Sequence, residues 1–323
     1  MKRLRQRGAA ILAAMITVTL VASFAAAAMW QQWRSVEVEA AERSRAQAAW
    51  ILTGALDWAR LILREDKGQA DHLGEPWAIP LEEARLSTFL AADSGASSEP
   101  SLVDNVFLSG QIIDLQSMLN VGNLAAQPND AHVESFRRLF ELLGLPPSQL
   151  DTLVENFRFA SDMKTENLSA SQAPLAPQRM EQLAWLGLPP ATVAALMPYV
   201  TILPSAATNV PVNLNTASAE VIYAVSANLS LADAQRVVAA RNTTHFRNPA
   251  DAGEVVGNKQ AFPNALKANT TSNYFEVHGR LRIDTLVLHE RSVLRRDGQS
   301  IQVLQRERSS ENLTAQFLEA ARR

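Results

Sequence analysis

The sequence predicts an α+β fold: one long N-terminal helix packed on a small antiparallel sheet, with a large all-α insertion of tandem helical hairpins interrupting that sheet. Three observations carry this. An uncharged apolar run opens the chain and continues into an amphipathic stretch; period-two segments flank a proline-rich middle; and the middle repeats a helix–corner–helix string. At 323 residues the chain is long enough for more than one compact unit.

The chain begins with a basic leader, Met1-Lys-Arg-Leu-Arg-Gln-Arg7, followed by Gly8 and an apolar run from Ala9 to Trp30. Those 22 uncharged residues match the roughly 20 that a helix needs to cross a bilayer core. The small residues Ala25 to Ala28 leave a cleaved secretory signal as the alternative. Against it, the helical pattern continues through Trp30, Trp33 and Val36, and Ala49, Leu52, Leu56, Ala59 and Leu63 then recur at spacings of three and four on one face. No Pro or Gly interrupts Ala9 to Thr53. A single helix over residues 9–65, membrane-spanning over about 9–30, would be roughly 80 Å long at 1.5 Å per residue. The four cations before it place the leader in the cytoplasm and the head outside.

Asp66-Lys-Gly68 and Gly74-Glu-Pro76 end the helical pattern. Residues Asp71 to Pro80 read as a surface loop packing Trp77 on the head, with Asp71, His72 and Glu75 as unrelated polar residues, and Ala91 to Pro100 as a second, flexible loop. Glu82 and Glu83 read as a solvated charge pair in a helical or loop segment. Val106, Leu108, Ile112 and Ile113 are spaced for a strand, with Gly110 as a bulge or bend. Far along the chain, Phe275, Val277, Leu281 and Ile283 alternate with Glu276, His278, Arg280, Arg282 and Asp284. Asp297-Gly298 then marks a hairpin between 286–296 and 299–306. The head is thus residues 66–116 plus 272–308, with a tail at 309–323.

The insertion, 117–271, holds twelve of the fifteen prolines, so its helices must be short. Glu141-Leu-Leu-Gly-Leu-Pro-Pro147 and Ala184-Trp-Leu-Gly-Leu-Pro-Pro190 lie 43 residues apart, each a helix end, a Gly corner and a Pro start. A third, looser copy centres on Asn228 to Ala232 and is introduced by Val212-Asn-Leu-Asn-Thr-Ala-Ser-Ala-Glu220, in which Asn215, Thr216 or Ser218 can cap the next helix. That string is similar to the opening of helix-hairpin-helix DNA-binding domains. The Gly-x-Gly corner that grips phosphate in those domains is replaced here by Ala227-Asn228-Leu229, and Arg236, Arg241, Arg247 and Lys259 are few for a phosphate contact. A membrane-anchored DNA receptor is the alternative reading that this string leaves open.

No nucleophile elbow, phosphate loop or zinc-helix motif occurs, and His72, His132, His245, His278 and His289 are scattered and read as solvated. The sequence therefore predicts no enzyme; a hydrolase secreted after cleavage near Ala28 is the remaining alternative of that class. Without cysteine there is no disulfide or thiolate chemistry. The balance of 30 basic and 33 acidic residues becomes 26 and 33 without Lys2, Arg3, Arg5 and Arg7, a net charge of −7 that argues against nucleic acid.

A basic leader ending in Gly, a small residue after it and an apolar helix with an amphipathic continuation resemble the type IV prepilin signature. The resemblance implies cleavage by a prepilin peptidase between Gly8 and Ala9, and N-methylation of Ala9. Most members carry Glu at the fifth mature position, which is Ala13 here. An unpaired carboxylate in a bilayer is costly, and in the family it is thought to meet the terminal amine of a neighbouring subunit. A subunit with Ala there suits a place on top of others. Together with the Asn-x-Asn-Thr-Ala string in a helical insertion, this resembles the K-type minor pseudopilins of type II secretion systems. The resemblance implies a tip-capping, assembly-initiating subunit in the inner membrane with a periplasmic head. Its partners would be minor pseudopilins of the I and J types, lying beside the stripe Ala49 to Leu63, the major pseudopilin, the peptidase and the assembly platform. The family also implies calcium in the insertion, for which Asp162 and Glu166 are the carboxylates at the matching place.

Overall fold

The structure is a computed structural model that describes residues 4–88, 105–125, 131–162, 173–204, 207–263, 265–283 and 286–312. The chain divides into two compact units, Met1–Gly54 and Ala55–Arg323. The first is helical throughout its described length. It belongs to α1 (Leu4–Glu65), whose part from Ala9 on is long and apolar enough to cross a membrane by length and composition. Its hydroxyls turn inward on the helix: Thr17 donates to the Ala14 carbonyl and Thr19 to those of Met15 and Ile16, so these polar groups are satisfied without leaving the backbone. Trp30 and Trp33 lie on one side, ring centroids 5.4 Å apart, where the apolar run gives way to charge, the position aromatic rings favour at a membrane interface.

The second unit holds a five-stranded antiparallel sheet. Its strands are β1 (Leu81–Arg85), β2 (Val106–Asp114), β7 (Tyr274–Ile283), β8 (Leu286–Asp297) and β9 (Ser300–Asn312), in that spatial order. β2 and β7 are neighbours although the insertion separates them in sequence. Between β2 and β7 come two short parallel pairs, β3 (Leu119–Asn120) with β4 (Val200–Thr201) and β5 (Val212–Asn213) with β6 (Ala268–Asn269). β1 was not anticipated, because Leu81-Glu-Glu-Ala-Arg85 offers only two apolar residues to an edge. What makes it a strand is charge: Glu83 accepts from Arg280 and Arg282 of β7, so it is part of an ion-pair ladder rather than a solvated pair with Glu82.

Gly110 is no bulge. It stands in regular register opposite Gly279, and a Cβ there would come 2.8 Å from the His278 carbonyl oxygen, so close backbone approach explains the glycine. The irregularities lie elsewhere, between Leu81 and Ala84 and between Val293 and Leu294. Gly298, at φ +57°, makes the tight turn from β8 to β9.

In this unit, Leu56, Ala59 and Leu63 of α1 form one core with Trp77, Phe275, Val277, Leu294 and Ile301. Trp77 meets Phe275 edge-on at 5.2 Å, and the Arg60 guanidinium donates to the Ile301 carbonyl. This corrects the assignment of the stripe to partner helices. Three of its five members are the helix's own attachment to its head, which is what an apolar face does first when a sheet of the same chain is at hand. Leu52 is buried too, and Ala49 partly.

The insertion has its own core, built from Phe136, Phe140, Leu153, Leu183, Leu186, Val221, Ile222 and their neighbours. It contains α2 (Ala131–Leu142), α3 (Pro147–Ser161), α4 (Pro190–Leu196), α5 (Ala219–Val225), α6 (Leu231–Arg241) and α7 (Pro249–Val255). The two matching strings adopt one geometry: Gly144 at φ +65° and Gly187 at φ +91° turn the chain, and Pro147 and Pro190 start the next helix. The copies differ upstream, where the first has α2 and the second a 3-10 helix, Met180–Leu186.

Candidate functional site

The polar centre of the second unit is the joint between sheet and insertion. Asp114 ends β2 with its carboxylate buried. Oδ2 accepts from Ser272 Oγ (2.6 Å), Thr216 Oγ1 (2.6 Å) and Asn213 Nδ2 (3.1 Å), while Oδ1 accepts from the Gln116 amide (2.7 Å). Burial pushes its pKa up from 3.8 to about 6, although the hydrogen bonds from Ser272, Thr216 and the Gln116 amide favour the charged form. The reading of Asp114 and Asn120 as strand-end and turn residues gives their place but not their burial. Asn120 accepts from the Gly122 and Leu203 amides and donates to the Ala207 carbonyl, so it holds one part of the insertion to another.

The Asn-x-Asn-Thr-Ala string supplies much of the joint. Asn213 Nδ2 reaches the Asp71 carbonyl (3.1 Å) and Ser272 Oγ (2.9 Å) as well as Asp114. Asn215 makes a two-way clamp on Phe246, donating to its carbonyl and accepting from its amide. Thr216 bonds Asp114, and only Ser218 caps α5, accepting from the Val221 amide. The resemblance to a DNA-gripping motif therefore rests on residues whose polar atoms face the protein's interior.

Beside this shell, Arg296 of β8 donates to Asp66 (2.9 Å), Asp71 and the Ser272 carbonyl (2.7 Å), and stacks over Phe275 at 4.9 Å. Burial raises the Asp71 pKa against the pull of Arg296. Glu75 is buried also, accepting from the His72 amide and Trp77 Nε1, and burial raises its pKa. Asp71 and Glu75 are thus structural carboxylates, not surface loop residues. Asp66, Asp71 and Glu75 stand close enough to share a cation, and the guanidinium of Arg296 already provides that positive charge.

His245 is exposed, as the solvated reading expects, and the other histidines depart from it to different degrees. His132 is buried against Asn209, burial lowering its pKa; His72 and His245 stack at 3.9 Å; His278 pairs with Glu276. His289 is partly buried on β8. Of the cations weighed for DNA, Arg236 pairs with Asp233, Lys259 with Glu254 and Arg247 with Asp251. Arg241 donates to the Leu214 and Ala217 carbonyls. The corner Ala227-Asn228-Leu229 has no residue at positive φ. Of the calcium candidates, Asp162 is the exposed C-cap of α3, and Glu166 lies outside the described residues. One carboxylate falls short of the six to eight oxygens calcium takes, so Asp162 by itself does not make a calcium site. Gly8, Ala9 and Ala13 lie within α1.

A family model for type II secretion system protein K matches residues 212–272, and a second model for the same protein matches residues 117–205. Type II secretion system protein K of Pectobacterium carotovorum subsp. carotovorum is 26% identical over 332 residues, covering 94% of this chain and 97% of its own. That of Dickeya chrysanthemi is 24% identical with the same coverage, and that of Pseudomonas aeruginosa is 26% identical over 76% of this chain and 75% of its own. Among solved structures, a chain of the GspK-GspI-GspJ complex of the enterotoxigenic Escherichia coli type 2 secretion system shares the fold. It has a TM-score of 0.60 at 18% identity over 84% of this chain and 99% of that one. The matched segments include the Asn-x-Asn-Thr-Ala string and Ser272 of the joint it builds, and over nearly its whole length the chain is similar to type II secretion system protein K.

Proposed function

We propose that this chain, a minor pseudopilin of a type II secretion system, caps the tip of the pseudopilus and helps to initiate its assembly for export of folded proteins across the outer membrane. The observation that carries this is the association, in one chain, of an apolar helix lacking a carboxylate at Ala13 with a bulky helical insertion tied to the head through Asp114. The helix can pack against those of neighbouring subunits in a filament, while Ala13 cannot provide the carboxylate that would hold the amine of another subunit. The role is structural rather than catalytic.

The partners of this reading are minor pseudopilins of the I and J types, with which the protein K homologue of known structure is complexed. The major pseudopilin, the prepilin peptidase and the assembly platform follow from the same role. With Leu56, Ala59 and Leu63 used internally, Trp58 and Leu61 become the α1 residues of this unit offered to partners; both are more than 40% exposed. Removal of the leader between Gly8 and Ala9, methylation of Ala9 and a single-pass inner-membrane location with a periplasmic head complete the reading. No observation favours a DNA receptor.

Mass spectrometry of the membrane-bound protein, with and without the host's prepilin peptidase, tests it. A peptidase-dependent start at methylated Ala9 is the expected result. A start after Ala25 to Ala28, or none that depends on the peptidase, contradicts it.

A further inference from the structure

A cavity of about 190 Å³ lies at the corner Ala227-Asn228-Leu229 of the insertion, between the end of α5 and the chain that leads into β6. Val225, Phe262 and Ala268 on its lining are buried, whereas Ala227, Asn228 and Pro263 are exposed, so it opens to solvent. Its walls are braced by hydrogen bonds. Ser226 Oγ donates to the Ala261 carbonyl (2.5 Å), and the Arg138 guanidinium donates to the carbonyls of Tyr223 (3.1 Å) and Leu229 (3.0 Å), on either side of the corner. Opposite, the Lys267 carbonyl accepts from the Val212 amide (2.9 Å), which fixes the backbone of a residue that lines the cavity.

Among the described residues that line it, Lys267 alone is charged. It is partly buried, burial lowers its pKa, and no described carboxylate pairs with it. Glu134, whose charge it feels, is taken by Arg137 (2.5 Å), and Arg138 is of like sign. An ammonium drawn out of water without a counterion costs free energy that an anion beside it recovers. The rest of the lining says which anion. Val225, Phe262 and Ala268 are apolar, and the Ser226 hydroxyl is already given to Ala261. A phosphate offers more charge than one ammonium on an apolar wall can meet, whereas a single carboxylate on an apolar group matches both halves of the site. At about 30 Å³ for each water in the liquid, the cavity has room for about six waters, so the group is the size of a short-chain acid or one small terminal residue.

We propose that this cavity binds a carboxylate carried on a small apolar group, a free short-chain acid or a polypeptide C-terminus, with Lys267 on the carboxylate and Val225, Phe262 and Ala268 around the apolar part. The site is distinct from the α1 surface offered to other pseudopilins and does not depend on where in the pseudopilus the chain sits.

The test is fluorine NMR of trifluorobutyrate with the full-length protein in non-ionic detergent, with trifluorobutanol as the uncharged comparison. Butyrate, inorganic phosphate and the tripeptide acetyl-Gly-Ala-Val, as acid and as C-terminal amide, serve as competitors. The trifluorobutyrate signal should broaden with the protein and sharpen again when butyrate is added in excess, and trifluorobutanol should show neither effect. Lys267→Gln should weaken binding about tenfold, the loss of one hydrogen bond to a charged group. Ala227→Leu, at an exposed lining position, should weaken it about fivefold or more by filling the mouth. Neither variant should lower the unfolding temperature. Displacement by the peptide acid and not by its amide assigns the site to a chain terminus; displacement by butyrate and by neither peptide assigns it to free acids. Absence of trifluorobutyrate binding, equal binding of trifluorobutanol, unchanged binding by either variant, or stronger displacement by phosphate than by butyrate overturns the proposal.

Discussion

At the end of β2, Asp114 is enclosed by Ser272, Thr216, Asn213 and the Gln116 amide, and also feels the charge of Asp71. Its pKa in the fold is about 6, against 3.8 for the ordinary group. The folded state therefore holds this proton at a higher pH than the unfolded state does. The sign follows: ionised Asp114 costs stability above pH 6, and that cost is removed as pH falls toward 4. Between pH 7.5 and 4.5 the group should add about 2 kcal/mol of stability. Glu276 and Glu83, held low overall by hydrogen bonds and charge from their arginine and histidine partners, pull the other way in acid, so the comparison must be internal. Relative to wild type, Asp114→Asn should lose about 2 kcal/mol between those pH values in denaturant unfolding; an unchanged difference would refute the assignment. The burial was partly readable in the sequence, since Asp114 stands between Ile113 and Leu115 in an otherwise apolar run. What could not be read was its partners, which come from positions 213, 216 and 272, brought together only by the closure of the sheet around the insertion.

Among the elements, those with strong local signals were the most legible. The uninterrupted helix, the Asp297-Gly298 hairpin and the Gly-x-Pro-Pro corners each follow from backbone chemistry that a few residues determine. β1 escaped because its reason is a long-range ladder from Glu83 to Arg280 and Arg282. The α1 stripe was found but given the wrong neighbour: periodicity identifies an apolar face and says nothing of whether the same chain or another covers it. Leu56 and Trp58 separate the two cases. Leu56→Asp puts a carboxylate into the core with Trp77 and Phe275, and should cost about 4 kcal/mol. Trp58→Asp with Leu61→Asp should change stability by about 1 kcal/mol at most. The double variant should nevertheless reduce co-purification of the full-length protein with I- and J-type pseudopilins several-fold. Unchanged recovery would remove these two residues from the interface.

In the second unit of the molecule, the core under α1 and the core within the insertion are joined by the polar shell around Asp114, by Arg296 and by a small apolar cluster of Leu115, Leu203 and Val293. The central claim is that one copy of this chain completes a set of minor pseudopilins at the tip. Native mass spectrometry of full-length protein co-expressed with its I- and J-type partners and extracted from membranes tests it most directly. The account predicts a ternary complex with one copy of each. Recovery of the chain alone, or in complexes that hold several copies of it, would contradict a tip position.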